Sequence, residues 1–210
     1  MNTPPDDRIP FGILPAEYVT TGDHIAYFWE TEKEFEQGVN FLTAGLADRD
    51  HCVIFGHDEA NARVCGILDA RRVPVEALRR TGRLTVVGAA STGDETLAKL
   101  ATVFQKAVAD GAPLIRLLGN IGWGKPDWPG EEDIMLFEAK VTGAAKLFPA
   151  VIVCMYDVRS LSGRVIVHGG LGTHPISVCG NVMRVNTHHQ KNFDEFATRV
   201  RETAPAATAK

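Results

Sequence analysis

The chain has 210 residues, 45% hydrophobic and 23% charged, with a formal net charge of −4 and a pI near 6.0. These proportions exclude disordered, collagen-like and coiled-coil chains. Its 22 Lys and Arg are scattered, which argues against direct nucleic-acid binding, and no apolar run reaches the ~18 to 20 residues that a membrane helix needs.

A domain of this length buries roughly 70% of the surface that its unfolded chain exposes, so folding requires neither disulfide nor metal. Residues 1–10 lack the apolar centre of a secretory signal, and the expected location is the cytoplasm. The four cysteines contain no C-x-x-C pair, and Cys52 and Cys154 sit inside apolar runs, where a thiol behaves as a small hydrophobe.

Short apolar runs alternate with helical periodicity from residue 24 almost to the end, the βαβ pattern. Residues 24–29 read as a strand, followed by a helix through Phe35, Val39, Leu42 and Leu46. Residues 52–55 form a second strand, and Asp58 is expected to cap the helix carrying Val64, Ile67 and Leu68. A short helical turn starts at Pro74, and the third strand is residues 84–87. Gly93-Asp94 offers a cap for the helix through Leu97, Leu100, Phe104 and Val108.

The fourth strand, residues 114–118, opens into Gly119 to Gly130, which holds four glycines, two prolines and two tryptophans within twelve residues. Three acids then begin a helix through Ile134, Phe137, Val141 and Phe148, and residues 151–155 make a fifth strand. Residues 161–171 admit either a helix or a strand and turn; residues 175–179 read as a sixth strand and 192–202 as an amphipathic helix. The whole predicts a single α/β domain, a mainly parallel sheet of about six strands with helices on both faces. The expected division is an N-terminal extension at 1–20, the domain at 21–182, and a C-terminal helix and tail at 183–210, with frayed ends.

In an open parallel sheet ligands bind beyond the carboxyl ends of the strands. Those exits carry Trp29-Glu30, Gly56-His57-Asp58, Gly88, Gly119-Asn120 and Tyr156-Asp157. In the long loop, Trp123 and Trp128 present large amphipathic faces, either to a ligand or as a plug over the sheet end. His24 and His174 are read as ligand contacts or as hydrogen-bonded structural residues, and His24 lies at the wrong end of its strand for the crevice. Glu138, amid apolar neighbours, either points outward or is a buried acid with a partner. Cys154 reads as inert, and the His188-His189 pair as surface. The chain carries no P-loop, no G-x-G-x-x-G after its first strand and no G-x-S-x-G elbow.

Asp23-His24-Ile25 with Tyr27-Phe28-Trp29-Glu30, the Gly119 to Trp123 segment, Leu136-Phe137-Glu138-Ala139, Cys154-Met155-Tyr156-Asp157 and Thr173-His174-Pro175 stand in this order and spacing. Together they resemble the MEDS domain, the sensory domain named after methanogens, methylotrophs and the dichloromethane-dehalogenase regulator, over about residues 20–182. The resemblance implies a RecA/KaiC-like core without a Walker A loop, built as a three-layer sandwich. It also implies sensing of a hydrocarbon derivative or one-carbon metabolite. The motif residues carried over are His24, Tyr27, Glu30, Trp123, Glu138, Cys154, Tyr156, Asp157 and His174, their roles unassigned.

The expected function is a non-catalytic small-molecule sensor that needs no cofactor or metal, its crevice walled by Trp123, Trp128, Tyr156 and Glu30, with Asn120 at the same edge. Without room for a kinase or an evident helix-turn-helix, output is expected through a histidine kinase or transcription regulator in trans, or through a homodimer. Two alternatives stand beside it: an enzyme or metal protein using His24, Cys154, Asp157 and His174, and a degenerate nucleotide-binding scaffold. The Gly119 to Gly130 loop is the expected coupling element between ligand and output.

Overall fold

A computed structural model describes residues 8–88, 90–121, 125 and 128–203. Near its start a short antiparallel pair, β1 (Ile9–Pro10) with β2 (Tyr18–Val19), brings Phe11, Ile13, Leu14 and Val19 into the core. Phe11 meets Phe41 edge-on at 6.1 Å between ring centroids, and the Gln37 amide donates to the Ile13 carbonyl at 3.0 Å. Residues 8–20 are therefore packed where a frayed end was expected, because two-residue strands carry no period to read.

The remaining elements follow in chain order as β3 (His24–Trp29), α1 (Glu32–Ala47), β4 (His51–Gly56), α2 (Asp58–Ala70), α3 (Val75–Arg80) and β5 (Leu84–Val87). Next come α4 (Gly93–Ala109), β6 (Ile115–Asn120), α5 (Glu131–Ala144), β7 (Ala150–Asp157) and a π-helical segment (Val165–Leu171). The chain continues through β8 (Ile176–Cys179), β9 (Val182–Val185) and α6 (Phe193–Glu202). The open segment at 161–171 is thus helical over most of its length.

Two caps differ from the sequence reading. His57, not Asp58, caps α2, its Nδ1 accepting from the Ala60 N–H, and Thr92 rather than Gly93-Asp94 caps α4. Thr31 and Glu34 close a reciprocal capping box at the start of α1, with the Glu34 carboxylate accepting from the Glu30 and Thr31 N–H groups at 2.9 Å each. Thr31→Ala is expected to lower stability by about 0.5–2 kcal/mol in a urea melt. The backbone donors also hold the Glu34 carboxyl below its ordinary 4.5. Its contribution is therefore present above that pH and fades as acid takes the pH through the lowered value.

The strands form one sheet in the order β5-β4-β6-β7-β3-β8-β9. Six are parallel, and β9 pairs antiparallel with β8 at the edge. β9 is the strand beyond the expected six. The connections that run one way along the sheet carry α1, α2 and α3, and their apolar residues pack with Ile25, Tyr27, Ile54, Leu118 and Val153 on one face. Those running the other way carry α4, α5 and the π-helical segment, packed with Ala26, Phe28, Phe55, Leu117 and Cys154 on the other. One hand of crossover requires this sorting. Among the described residues no helix is long and apolar enough to cross a membrane.

One glycine matters for position. A Cβ on Gly170 would come within 2.7 Å of the Phe28 ring, so only glycine lets the π-helical segment lie this close to β3. That approach sets down His174, three residues after the segment ends, beside His24.

Candidate functional site

The alternation of β3 turns His24 to the same face as Ala26 and Phe28, toward α5. Parallel pairing places Cys154 of β7 opposite Ala26, one residue pair along from His24 on that face. α5 presents Glu138 to the sheet among Ile134, Phe137 and Val141. β8 returns along the free side of β3, so His174, just before it, stands against His24 with ring centroids 3.8 Å apart. All four side chains are fully or almost fully buried.

Their functional atoms converge. His24 Nε2 lies 3.3 Å from Cys154 Sγ and 3.3 Å from Glu138 Oε2; Cys154 Sγ is 3.4 Å and His174 Nε2 is 3.6 Å from that same oxygen. The Tyr156 hydroxyl donates to the other carboxylate oxygen at 3.2 Å. The outer nitrogens are held from behind. Thr142 Oγ1 donates to the Thr173 carbonyl at 2.6 Å, so it accepts from His24 Nδ1 at 2.9 Å. His174 Nδ1 donates to the Gly170 carbonyl at 2.8 Å. Both rings are thereby assigned the Nδ1–H tautomer, with the Nε2 lone pairs aimed into the cluster.

His24 and Glu138 lie at ion-pair distance, yet burial opposes charge on both. Burial depresses the His24 and His174 pKa values to about 3 and raises that of Glu138. It also pushes the Cys154 thiol and Tyr156 phenol well up, with the Glu138 carboxylate adding to both. A buried thiol held protonated is a poor nucleophile, so Cys154 is not set up for covalent catalysis.

Three of the four residues in the enzyme or metal alternative, His24, Cys154 and His174, meet at this point. Asp157 does not: it is the last residue of β7 and lines a separate cleft, and Glu138 takes its place. That second cleft, of about 350 Å³, is lined by Trp29, His57, Asn120, Lys125 and Asp157. It occupies the switch point where connections leave neighbouring strands in opposite directions. Asn120 is buried there, its Nδ2 without a hydrogen-bond partner among the described residues.

Of the expected crevice of Trp123, Trp128, Tyr156 and Glu30, the three described residues, Trp128, Tyr156 and Glu30, face different surroundings. Trp123 lies outside the described residues, as does much of the Gly119 to Gly130 loop assigned the coupling role. Trp128 packs on Phe55 at 5.5 Å and faces His57. Tyr156 points to the α5 face because of strand alternation, and Glu30 is exposed beside the capping box. Tyr27 points to the opposite face, its hydroxyl donating to the Glu34 carbonyl at 2.8 Å. Gly119 and Asn120 belong to β6 rather than to the loop.

A third space was not foreseen. An apolar cleft of about 520 Å³ opens between α4 and α5, walled by Leu97, Ala101, Phe104, Val141 and Phe148 with Cys154 on its floor. Its small residues, among them Ala98, Ala144 and Ala145, leave the space between the helices unfilled. Each reads as ordinary core in sequence. Thr142 and Thr173 were missed as well, although Thr142 stands one helical turn from Glu138 and Thr173 adjoins His174.

The sheet, the buried polar cluster and the apolar cleft define an α/β module with a polar centre beside an apolar space. The sequence matches the MEDS family, the MEthanogen/methylotroph, DcmR Sensory domain, over residues 23–175, and the chain belongs to that family of sensory domains. It is also 26% identical over 148 residues to the Transcriptional repressor DcmR of Methylorubrum extorquens (strain DSM 6343 / CIP 106787 / DM4), a match covering 69% of this chain. The chain spans about half the length of that curated relative, 56% of it.

Proposed function

We propose that this chain senses a small apolar molecule, a simple hydrocarbon derivative, in the cleft between α4 and α5. The observation that carries the reading is the cleft itself: about 520 Å³ within an almost wholly apolar wall, Asp94 and Gln105 supplying the charged and amide groups at its rim. Sites for small ligands are commonly of this size, with few polar groups. Membership of a sensory family and likeness to a named transcriptional repressor support a regulatory output. That output passes through a partner in trans, a kinase or transcription regulator, in the cytoplasm.

The core is RecA/KaiC-like, a three-layer α/β/α arrangement; the sorting of helices to the two faces and the interior position of β3, between β7 and β8, support this. Relative to the crevice expected from the strand ends, the ligand moves to the helix-covered face. α5 is then the natural transmitter, since it walls the cleft, carries Glu138 and packs against α6 through Met135, Phe196 and Val200.

Titration with short-chain alcohols and haloalkanes tests the reading. A ligand at 100 times its Kd stabilises the folded chain by about 2.7 kcal/mol, so the melting temperature rises with concentration. Trp128 emission should change as well, because Trp128 stacks on Phe55 of the cleft wall. If neither signal moves across a panel graded in size and polarity, the cleft is not a ligand site.

A further inference from the structure

We propose that His24, Glu138, Cys154 and His174 bind one divalent transition-metal ion, with zinc the ion whose ligand preferences the four residues fit best. Each offers a ligand atom within 4.8 Å of the other three. The four short separations between those atoms, 3.3, 3.3, 3.4 and 3.6 Å, have the dimensions of a coordination tetrahedron. Ligands at the usual zinc distances of roughly 2.0–2.3 Å stand about 3.3–3.8 Å apart along its edges. A set of two imidazoles, a thiolate and a carboxylate suits zinc.

The hydrogen bonds point the same way. Both histidines have their Nδ1 fixed from behind by Thr142 and by the Gly170 carbonyl, the outer support that orients metal-bound imidazoles. His174 Nε2, fully buried and carrying a lone pair, has no hydrogen-bond partner among the described residues. A bound cation supplies it. Tyr156 supports the free oxygen of Glu138 in the same way.

Charge decides between this set and an empty one. A dication with one thiolate, one carboxylate and two neutral imidazoles sums to zero, so the assembled site can be buried without the large cost of an isolated ion. Loading expels the proton of the Cys154 thiol to solvent, and that of the Glu138 carboxyl in molecules that carry it, each replaced by a metal bond. Because the four residues come from β3, α5, β7 and the turn before β8, the ion would pin α5 to the sheet. With every ligand buried, it enters as the chain folds. This site stands whether or not the neighbouring cleft takes an apolar ligand.

The test uses the full chain without a polyhistidine tag, unfolded in chelator and refolded with or without zinc or cobalt(II). The expected result is one metal per chain after gel filtration, a higher melting temperature for the loaded form, and a cobalt–thiolate charge-transfer band. Cys154→Ser should abolish that band and His174→Gln should cut metal retention at least tenfold. Thr142→Val, which touches no metal, should weaken binding by about 10–100-fold. The paired change His188→Ala with His189→Ala should leave the stoichiometry unchanged.

Since variants of a buried cluster can fail to fold, the parent chain is decisive by itself. If the folded parent retains under a tenth of an equivalent of either metal, the cluster is only a proton-sharing network. If folded Cys154→Ser keeps the thiolate band, the metal sits on another cysteine. Either result overturns the proposal.

Discussion

Asp50→Ala is expected to lower the stability of the folded chain by about 3–5 kcal/mol, the range for removing one partner of a buried ion pair. Arg116, the second residue of β6, is among the largest fully buried side chains, and its Nε donates to Asp50 Oδ2 at 2.6 Å. Its Nη1 donates to the Pro10 carbonyl at 2.8 Å, which ties the N-terminal hairpin to the sheet. α1 makes room by leaving out a side chain, since a Cβ on Gly45 would come within 2.5 Å of Arg116 Cδ.

With Asp50 gone the guanidinium stays buried against carbonyls and the Phe41 ring with no counter-charge from that carboxylate. Retreat to solvent would unpack the segment around Phe11. Burial also raises the Asp50 pKa against the pull of Arg116, a sign that desolvation here is costly. Replacing both residues, Asp50→Leu with Arg116→Met, should therefore cost less than Asp50→Ala alone. Urea unfolding of the three variants measures this. A single-variant loss below 1 kcal/mol would show that water reaches the guanidinium and that the pair is not a buried one.

That pair also shows what local patterns reveal. The order of strands and helices from β3 to β7 is written in alternating apolar runs and helical spacings, and β5 falls on the expected residues 84–87. What spacing does not carry is which strand lies beside which. Arg116 stands in an apolar run, Leu114-Ile115-Arg116-Leu117-Leu118, and a charge there signals a buried partner without saying where. The cluster behaves likewise. His24, Glu138, Cys154 and His174 are each noticeable, but they are 114, 16 and 20 residues apart and meet only because β7 and β8 flank β3. Tyr156 and Glu30 look alike as strand-exit residues, and strand alternation with a helix cap sends them to different places. The apolar cleft is harder still, since a gap between helices is made by the smallness of alanines that draw no notice.

Those alanines make the sharpest test of where a ligand binds. Ala101→Trp is expected to weaken binding of any cleft ligand at least tenfold, a loss of about 1.4 kcal/mol, while the chain stays folded. Ala101 lies half-buried on α4 between Leu97 and Phe104, across the cleft from Ala144, the last residue of α5, and Ala145 just after it. An indole there enters existing space rather than a packed core, so it avoids the ~1–3 kcal/mol strain of overpacking and adds apolar contact. Filling a cavity commonly raises stability by about 0.5–2 kcal/mol. The variant should thus melt at or above the parent temperature, mimicking the bound state while excluding ligand. Ligand added to it should then produce no further rise. The strand-exit cleft around Asn120 and Asp157 lies beyond the reach of this change, because its lining shares no residue with the cleft on the other face. If Ala101→Trp folds, melts high and still binds with parental affinity, the ligand sits at the strand exits. Asn120→Leu, removing the buried amide there, would then be the variant that loses it.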